Sequence, residues 1–342
     1  MLPAVTEPTI PFAPPHYICR RSKQPYLGRI DGRLDKAFWN QAAEISDFRD
    51  IEGDGKPRPH KETGVRLLWD DTSLYIGAIL HDDEIWASVS GRDEIVFTDN
   101  DFEVFLSPKH STHRYYELEI NAMNTVWDLL MEKPHRDLVH RISAWDIAGI
   151  KHAVHIDGRL NDPGADNRYW SVELMIPWSP LREAEPDQIQ PAHLIPDVGE
   201  VWRMNFSRVE YLVDVADNRY RKRANAITGQ PLPEYNWVWA PTGAIDTHMP
   251  ELWGYLVFGD ESTQFNPPAD EDVAWNLRKL FYRQRNFGAV YGYYTTDFND
   301  LRGSDKWCGI PSIYATPSLF EIILPSSSGA LHIRQDGYLW ED

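Results

Sequence analysis

Cysteine is almost absent from this chain: of 342 residues, only Cys19 and Cys308 carry a thiol. Two thiols build neither a disulfide framework nor a zinc site, and whether these two pair is left open. Basic residues are also scarce, 34 against 52 acidic, for a formal net charge of −18. A surface of that sign repels nucleic acid and anionic membranes, so neither is expected as a partner. Long apolar runs are missing. No segment approaches the ~20 residues that span a bilayer. The opening MLPAVTEPTIPFAPPHYICRR is broken by proline and lacks the apolar stretch of a signal peptide. The expectation is a cytoplasmic protein, or a secreted one whose leader was trimmed. No H-E-x-x-H, P-loop, strand-borne G-x-G-x-x-G, G-x-S-x-G or EF-hand loop occurs, which leaves zinc catalysis, nucleotide use and serine hydrolysis without support.

Hydrophobic residues make up 42% of the chain, enough for a substantial core. Tryptophan is abundant, 14 in all, and at this density marks a sandwich core, a stacking surface, or both. The most informative stretch is DNDFEVFLSP (99–108), followed by YYELEINAMNTVWDLL (115–130). In each, apolar residues alternate with polar ones: Phe102, Val104 and Leu106 against Glu103, and Tyr116, Leu118 and Ile120 against Glu117, Glu119 and Asn121. Strand side chains alternate faces with period two, so each run reads as a strand with one buried and one polar face. The polar face is either solvated or a platform for a hydroxyl-rich ligand. If VELMIPW and WRMNFSRVE share its sheet, that face also collects Glu173, Arg203 and Asn205.

VRLLWD, SLYIGAILHDD, HAVHIDG, RYWSVELMIPW, EVWRMNFSRVEYL and LWGYLVFG extend the series of strands, separated by Gly, Pro and Asp turn signals. The fold class expected is all-β, an antiparallel β-sandwich with a small C-terminal helix-containing extension. Residues 1–16 read as an extended arm, 17–259 as the sandwich, and 260–342 as a linker, a helix and short strands. Ala274, Leu277, Leu280 and Phe281 set the helical spacing of that last part. One further short helix is expected over Leu34–Ala43, capped by Asp35.

Seven motifs in order, RIDGRLDKAFWNQA, VRLLWDDTSLYIGAIL, DNDFEVFLSP, YYELEINAMNTVWD, VELMIPW, WRMNFSRVE and PELWGYLVF, resemble the carbohydrate-binding module family 9-like proteins over roughly residues 17–259. The resemblance implies a sandwich that binds saccharides, often with structural calcium, and often works alongside a polysaccharide-degrading enzyme partner. Sugar-binding members clamp a terminal sugar between two tryptophans. Phe97 holds one of those places, and Thr247 and His248 fall at the other. The family glutamate is kept as Glu103, while a family arginine aligns with Glu119. The platform is retained and the clamp altered, so a ligand other than a reducing-end glucose unit is expected.

The saccharide-site candidates are Glu103, Glu119, Asn121, Arg203, Phe97, Trp86, Trp127, Trp145 and His248. Carboxylates and amides fix hydroxyl orientation, and indoles stack on sugar C–H faces. The bland alternatives are a solvated sheet face for the acids and packing under loops for the tryptophans. Trp39, Trp69, Trp202 and Trp253 read as core. A glycoside hydrolase or lyase using Glu103 and Glu119 is the rival reading, since paired carboxyls at the right spacing cleave glycosides. A third is an interaction protein, signalled by an exposed apolar face on the Trp275–Tyr282 helix. No cofactor is required. Calcium is open at Asp99 and Asp101, whose hard oxygens suit it, although turn capping explains single aspartates equally well.

Overall fold

The computed structural model describes all residues except 1, 25, 27, 109–110, 138–139 and 185–194. Its strands, in chain order, begin with β1 (His16–Arg21), the two-residue β2 (Glu44–Ile45) and β3 (Arg49–Asp50), β4 (Thr63–Trp69) and β5 (Ser73–His81). They continue with β6 (Asp101–Ser107), β7 (Tyr115–Asn121), β8 (Val126–Lys133), β9 (His140–Ile142), β10 (Lys151–Asp157) and β11 (Tyr169–Pro177). Then come β12 (Val201–Glu210), the hairpin β13 (Val213–Ala216) and β14 (Arg219–Lys222), β15 (Tyr235–Val238) and β16 (Gly254–Gly259). After helix α1 (Glu271–Tyr291) the chain ends in β17 (Ser312–Ala315), β18 (Phe320–Pro325), β19 (Ala330–Arg334) and β20 (Leu339–Glu341).

Strand order runs β10-β11-β5-β4-β1-β16-β12-β6-β7-β8-β9, with β15 beside β12. β1 pairs in parallel with both β4 and β16 and so joins two antiparallel layers. The alternating apolar residues meet between them. Val65, Leu67, Ile76, Val172 and Leu174 from one layer pack on Phe102, Val104, Leu118, Trp202, Met204 and Phe206 from the other. This is the expected all-β sandwich.

Two expectations are corrected, and one open choice is decided. The run 115–130 is a hairpin, not one strand. Asn121 turns the chain by accepting hydrogen bonds at Oδ1 from the Met123 and Thr125 amides, and Asn124 takes φ +64° between them. The expected helix over 34–43 shrinks to a 3₁₀ segment, Ala37–Gln41, with Lys36 rather than Asp35 at its cap position. Five residues are too few to repay helix nucleation, and burial of Trp39 against Leu68 and Tyr75 fixes the segment instead. Of the two readings of the polar face, a solvated surface or a platform, the open surface is ruled out, because every residue of β6 and β7 is buried.

The C-terminal part builds a second core. Leu277, Leu280 and Phe281 of α1 pack on Ile322, Leu324 and Ile333 of the β17–β20 meander and on Met249 and Leu252 of the sandwich. Gly292, at φ +80°, ends the helix in a left-handed turn. The N-terminal arm straps over it: the Val5 amide donates to Asn286 Oδ1 at 2.9 Å, and Phe12 stacks on Trp275 at 4.5 Å. The Trp275–Tyr282 stretch therefore presents no bare apolar face, which removes the signal for an interaction module. Cys19 is buried, Cys308 exposed, and both are free thiols.

Candidate functional site

The pleat of β6 and β7 builds the site. Glu103 lies opposite Glu119 in the register, Phe105 opposite Glu117, and Asp101 opposite Asn121. All of these side chains point away from the inter-layer core. They are covered by the loop around Phe97, by β8, and by the segment 245–248. A cleft of about 350 Å³ remains. Glu103, Glu117 and Glu119 form its floor, Phe97 and Trp127 one wall, and Glu234, Asp246 and His248 the opposite side. Arg141 brings the one guanidinium among these lining residues, its Cζ 5.3 Å from the centre of the Trp127 ring.

Burial dominates the electrostatics of the floor. Glu103, 5% exposed, has its carboxyl pushed up to about 7, first by burial, with the nearby Ser207 hydroxyl opposing and Glu234 adding. Burial likewise raises Glu117, with Glu103 adding and Arg141 opposing. Glu119 is raised by burial and then by Asp101, Glu103 and Glu117. Asp101 is raised by burial, Glu103 and Asp99, with the nearby Val209 amide opposing. Glu119 Oε2 accepts the Phe97 amide at 2.9 Å, which ties the floor to the aromatic wall. Both oxygens of Asp101, Oε2 of Glu103 and Oε2 of Glu117 have no hydrogen-bond partner among the described residues. Buried polar atoms are ordinarily satisfied, so four orphaned oxygens in one place need an explanation.

His248 closes the far side. Its Nδ1 meets the Tyr115 hydroxyl at 2.8 Å, and its ring stacks on His135 with centroids 3.9 Å apart. Burial, His135 and Arg136 hold it well below the usual imidazole range, so it is neutral at pH 7.

The structure thus brings Glu103, Glu119, Phe97, Trp127 and His248 together, and Thr247 with them. It places the other candidates elsewhere. Asn121 is spent on the backbone and on Asp99: Nδ2 donates to Val89 O at 2.8 Å and to Asp99 at 3.0 Å in the segment before β6, while Oδ1 takes the two amides of its own turn. Arg203 shares the sheet face but lies under α1, donating to Trp253 O at 2.8 Å and to Glu271. Trp145 belongs to the core, stacked on Tyr116 at 4.8 Å with its indole N–H on Glu183. Trp86 packs beside Tyr211, outside the cleft. Glu173 and Asn205 do not join the platform. Glu173 is on the other layer, held by Lys36 at 2.7 Å, and Asn205 is consumed by the backbone of Ala240. Glu117, His135, Arg141, Glu234 and Asp246 were not foreseen. The alternation of β7 marked Glu117, but the others come from loops with no local signal.

Of the two calcium candidates, Asp99 does not fit a metal. Its carboxylate already accepts the Ser88 and Val89 amides at 2.7 Å, the Ser88 hydroxyl and the Asn121 amide. Asp101 fits better, since one oxygen each from Asp101, Glu103 and Glu119 lie within 4.8 Å of one another. A second group, Asp93, Asp128 and Asp146, is already bridged by Arg92, which donates to Asp128 and Asp146 at 2.6 Å each.

Residues 30–199 match the family described as carbohydrate family 9 binding domain-like. No curated protein matches the chain. Among solved structures, a protein of Bacteroides uniformis ATCC 8492 assigned as carbohydrate-binding shares 15% identity at a TM-score of 0.50, over 72% of this chain and 100% of its own. A family 9 module from Caldicellulosiruptor kristjanssonii in complex with cellotriose shares 15% identity at a TM-score of 0.44, over 74% and 99%. The same description in complex with glucose gives 16% at 0.41, over 73% and 98%.

Proposed function

We propose that this protein binds a saccharide in the cleft above β6 and β7 and performs no chemistry on it. The observation that carries this reading is the pairing, within one cleft, of an apolar wall and a carboxylate floor. Phe97 and Trp127 lie at 29° with centroids 6.3 Å apart, and Glu103, Glu117 and Glu119 stand beside them. Indoles supply area for sugar C–H faces, and carboxylates accept from hydroxyls with defined direction. The family match over residues 30–199 adds support. The family-type tryptophan pair is replaced by Phe97 with Trp127 on one side and His248 on the other. The ligand is therefore a saccharide presented differently from a sandwiched terminal glucose. Delivery of a carbohydrate-active enzyme partner to such a ligand belongs to the same proposal.

The rival hydrolase reading meets an obstacle. Glu119 Oε2 is engaged by the Phe97 amide at 2.9 Å, which leaves it poorly placed to act as nucleophile or acid. Calorimetry on a panel of gluco-, xylo-, manno- and galacto-oligosaccharides, with chromatography of the same mixtures, tests the proposal. The expected outcome is heat of binding without new products. New products that vanish in Glu103→Gln would establish the hydrolase instead, and silence in both channels would overturn saccharide binding.

A further inference from the structure

We propose that Asp101, Glu103 and Glu119 hold a divalent cation of the calcium class at the base of the cleft, and that its open positions take hydroxyls of the bound saccharide. The second half rests on the saccharide reading; the first does not.

The argument starts from the orphaned oxygens. Asp101 is fully buried, yet neither of its carboxylate oxygens has a hydrogen-bond partner among the described residues, and Oε2 of Glu103 has none either. Buried carboxylates are ordinarily paired with a cation or surrounded by donors. The β12 residues opposite Glu103 and Asp101 are Ser207 and Val209, which carry no charge, and Arg203, opposite Ser107 further along the same strand, is committed to Trp253 O, Tyr255 and Glu271. Arg141 sits over Trp127 on the wall. Three oxygens from three side chains lie within 4.8 Å of one another. Opposite ligands of a calcium ion are about 4.6–5.2 Å apart, so all three fit around one ion. Hard, anionic oxygen is the donor set calcium prefers, and no nitrogen or sulfur is present to favour zinc.

The placement gives the ion a direction. Glu103 and Glu119 line the cleft while Asp101, beside Glu103 on the same strand face, is fully buried outside its lining, so a cation among the three is buried on one side and open on the other. Calcium takes six to eight oxygens, more than three side chains supply. Neighbouring hydroxyls of a sugar ring can occupy the rest while Trp127 covers a C–H face.

The experiment uses the full chain, stripped with chelator and desalted near pH 7.5. Calcium chloride is titrated by calorimetry, with magnesium and manganese as separate arms, and Tb³⁺ luminescence sensitised through tryptophan serves as a second readout. The expected result is one ion per chain and Tb³⁺ emission that calcium displaces. Asp101→Asn and Glu103→Gln should weaken binding by at least about tenfold, since affinity follows the charge of the ligand set. Asp146→Asn, in the cluster that Arg92 already neutralises, should leave it unchanged. The oligosaccharide panel is then run with calcium and with chelator. Calcium-dependent sugar binding supports both halves. Calcium binding with no sugar heat supports the ion site and sinks the saccharide reading. Sugar binding of equal strength in chelator leaves the saccharide reading standing and overturns the hydroxyl-bridging half. No ion heat and no Tb³⁺ emission in the wild type, or ion binding unchanged in Asp101→Asn and Glu103→Gln, overturns the ion site. Because Tb³⁺ emission is read on the wild type, a variant that fails to fold does not remove the test.

Discussion

Two regions of this molecule bury carboxylates to the same depth and treat them in opposite ways. At the junction between the sandwich and α1, Glu251 receives Arg136 at 2.6 Å and the Tyr282 hydroxyl, while Asp137 receives Arg285. Against the pull of burial, Arg136 and Arg278 hold the Glu251 carboxyl down at about 2. On the cleft floor the same burial acts with no such partner, and Glu103 rises to about 7. Depth of burial therefore does not separate them; the presence of a cation does. The junction spends its carboxylates on holding the C-terminal unit to the sandwich. The floor keeps its carboxylates for something that arrives from outside.

Breaking the junction should have the largest effect. Arg136→Met leaves the buried Glu251 with the Tyr282 hydroxyl but without its ion-pair partner, and removing one partner of a buried pair costs about 3–5 kcal/mol. Chemical denaturation should show that loss together with earlier melting of α1. A loss below about 1 kcal/mol would mean the junction is as weakly coupled as a surface ion pair, and the contrast would fail.

The two regions should also respond to pH with opposite signs. Glu251 titrates at about 2 in the folded protein, below the 4.5 of a free glutamate, so its stabilisation is full above pH 4.5 and is lost as pH falls toward 2. Glu103 titrates at about 7, above 4.5, so its contribution is favourable below pH 4.5 and is lost as pH rises through 7. In ion-free protein, Glu103→Gln should raise stability at pH 8 relative to wild type by on the order of 3 kcal/mol, given about 1.36 kcal/mol per pK unit, with little difference at pH 4.5. Denaturant midpoints at the two pH values measure it. Equal midpoints at both would show that the Glu103 carboxyl is neutralised by something the fold itself provides.

How far this contrast could be read in advance depends on which signals are local. Period-two alternation in DFEVFL and YYELEI placed Glu103 and Glu119 on one face, and ordered motifs gave the sandwich. Helical spacing found α1. Sheet neighbours are a different matter. Glu173 alternates as cleanly as Glu103, but strand order puts it on the other layer beside β5 and β10. Alternation also gives no measure of depth. The floor reads as a polar surface until the loop of Phe97 and the segment 245–248 are seen to cover it. Arg141, Glu234 and Asp246 reach the cleft from irregular segments, where no periodicity exists to mark them. Asn121 shows the converse failure. It has the right residue type on the right strand face, but its turn, Val89 O and Asp99 consume its bonding capacity.

The aromatic wall gives a smaller test that sharpens the role of the floor. Trp127→Ala should weaken saccharide binding by about tenfold, or ~1.4 kcal/mol, through lost stacking area. Stability should change less than for a core tryptophan, because Trp127 packs on the outer sheet face beside the cleft rather than between the layers. Calorimetry and a melting curve separate the two. Unchanged affinity would move the ligand off this wall.

The smallest effect is expected where the two regions meet. Arg203 projects from the same sheet face as Glu103 but is drawn to Glu271 of α1, and its guanidinium stacks 3.8 Å from the Tyr255 ring. Lysine keeps the charge and loses the planar fork that reaches Trp253 O, Tyr255 and Glu271 together. Arg203→Lys should therefore cost about 1 kcal/mol of stability, the worth of one ordinary hydrogen bond, and leave saccharide affinity within about twofold. A much larger affinity loss would mean that Arg203 senses the ligand. Floor and junction would then form one continuous polar surface, and the sharp division between paired and waiting carboxylates would have to be redrawn along β12 rather than between the cleft and the helix.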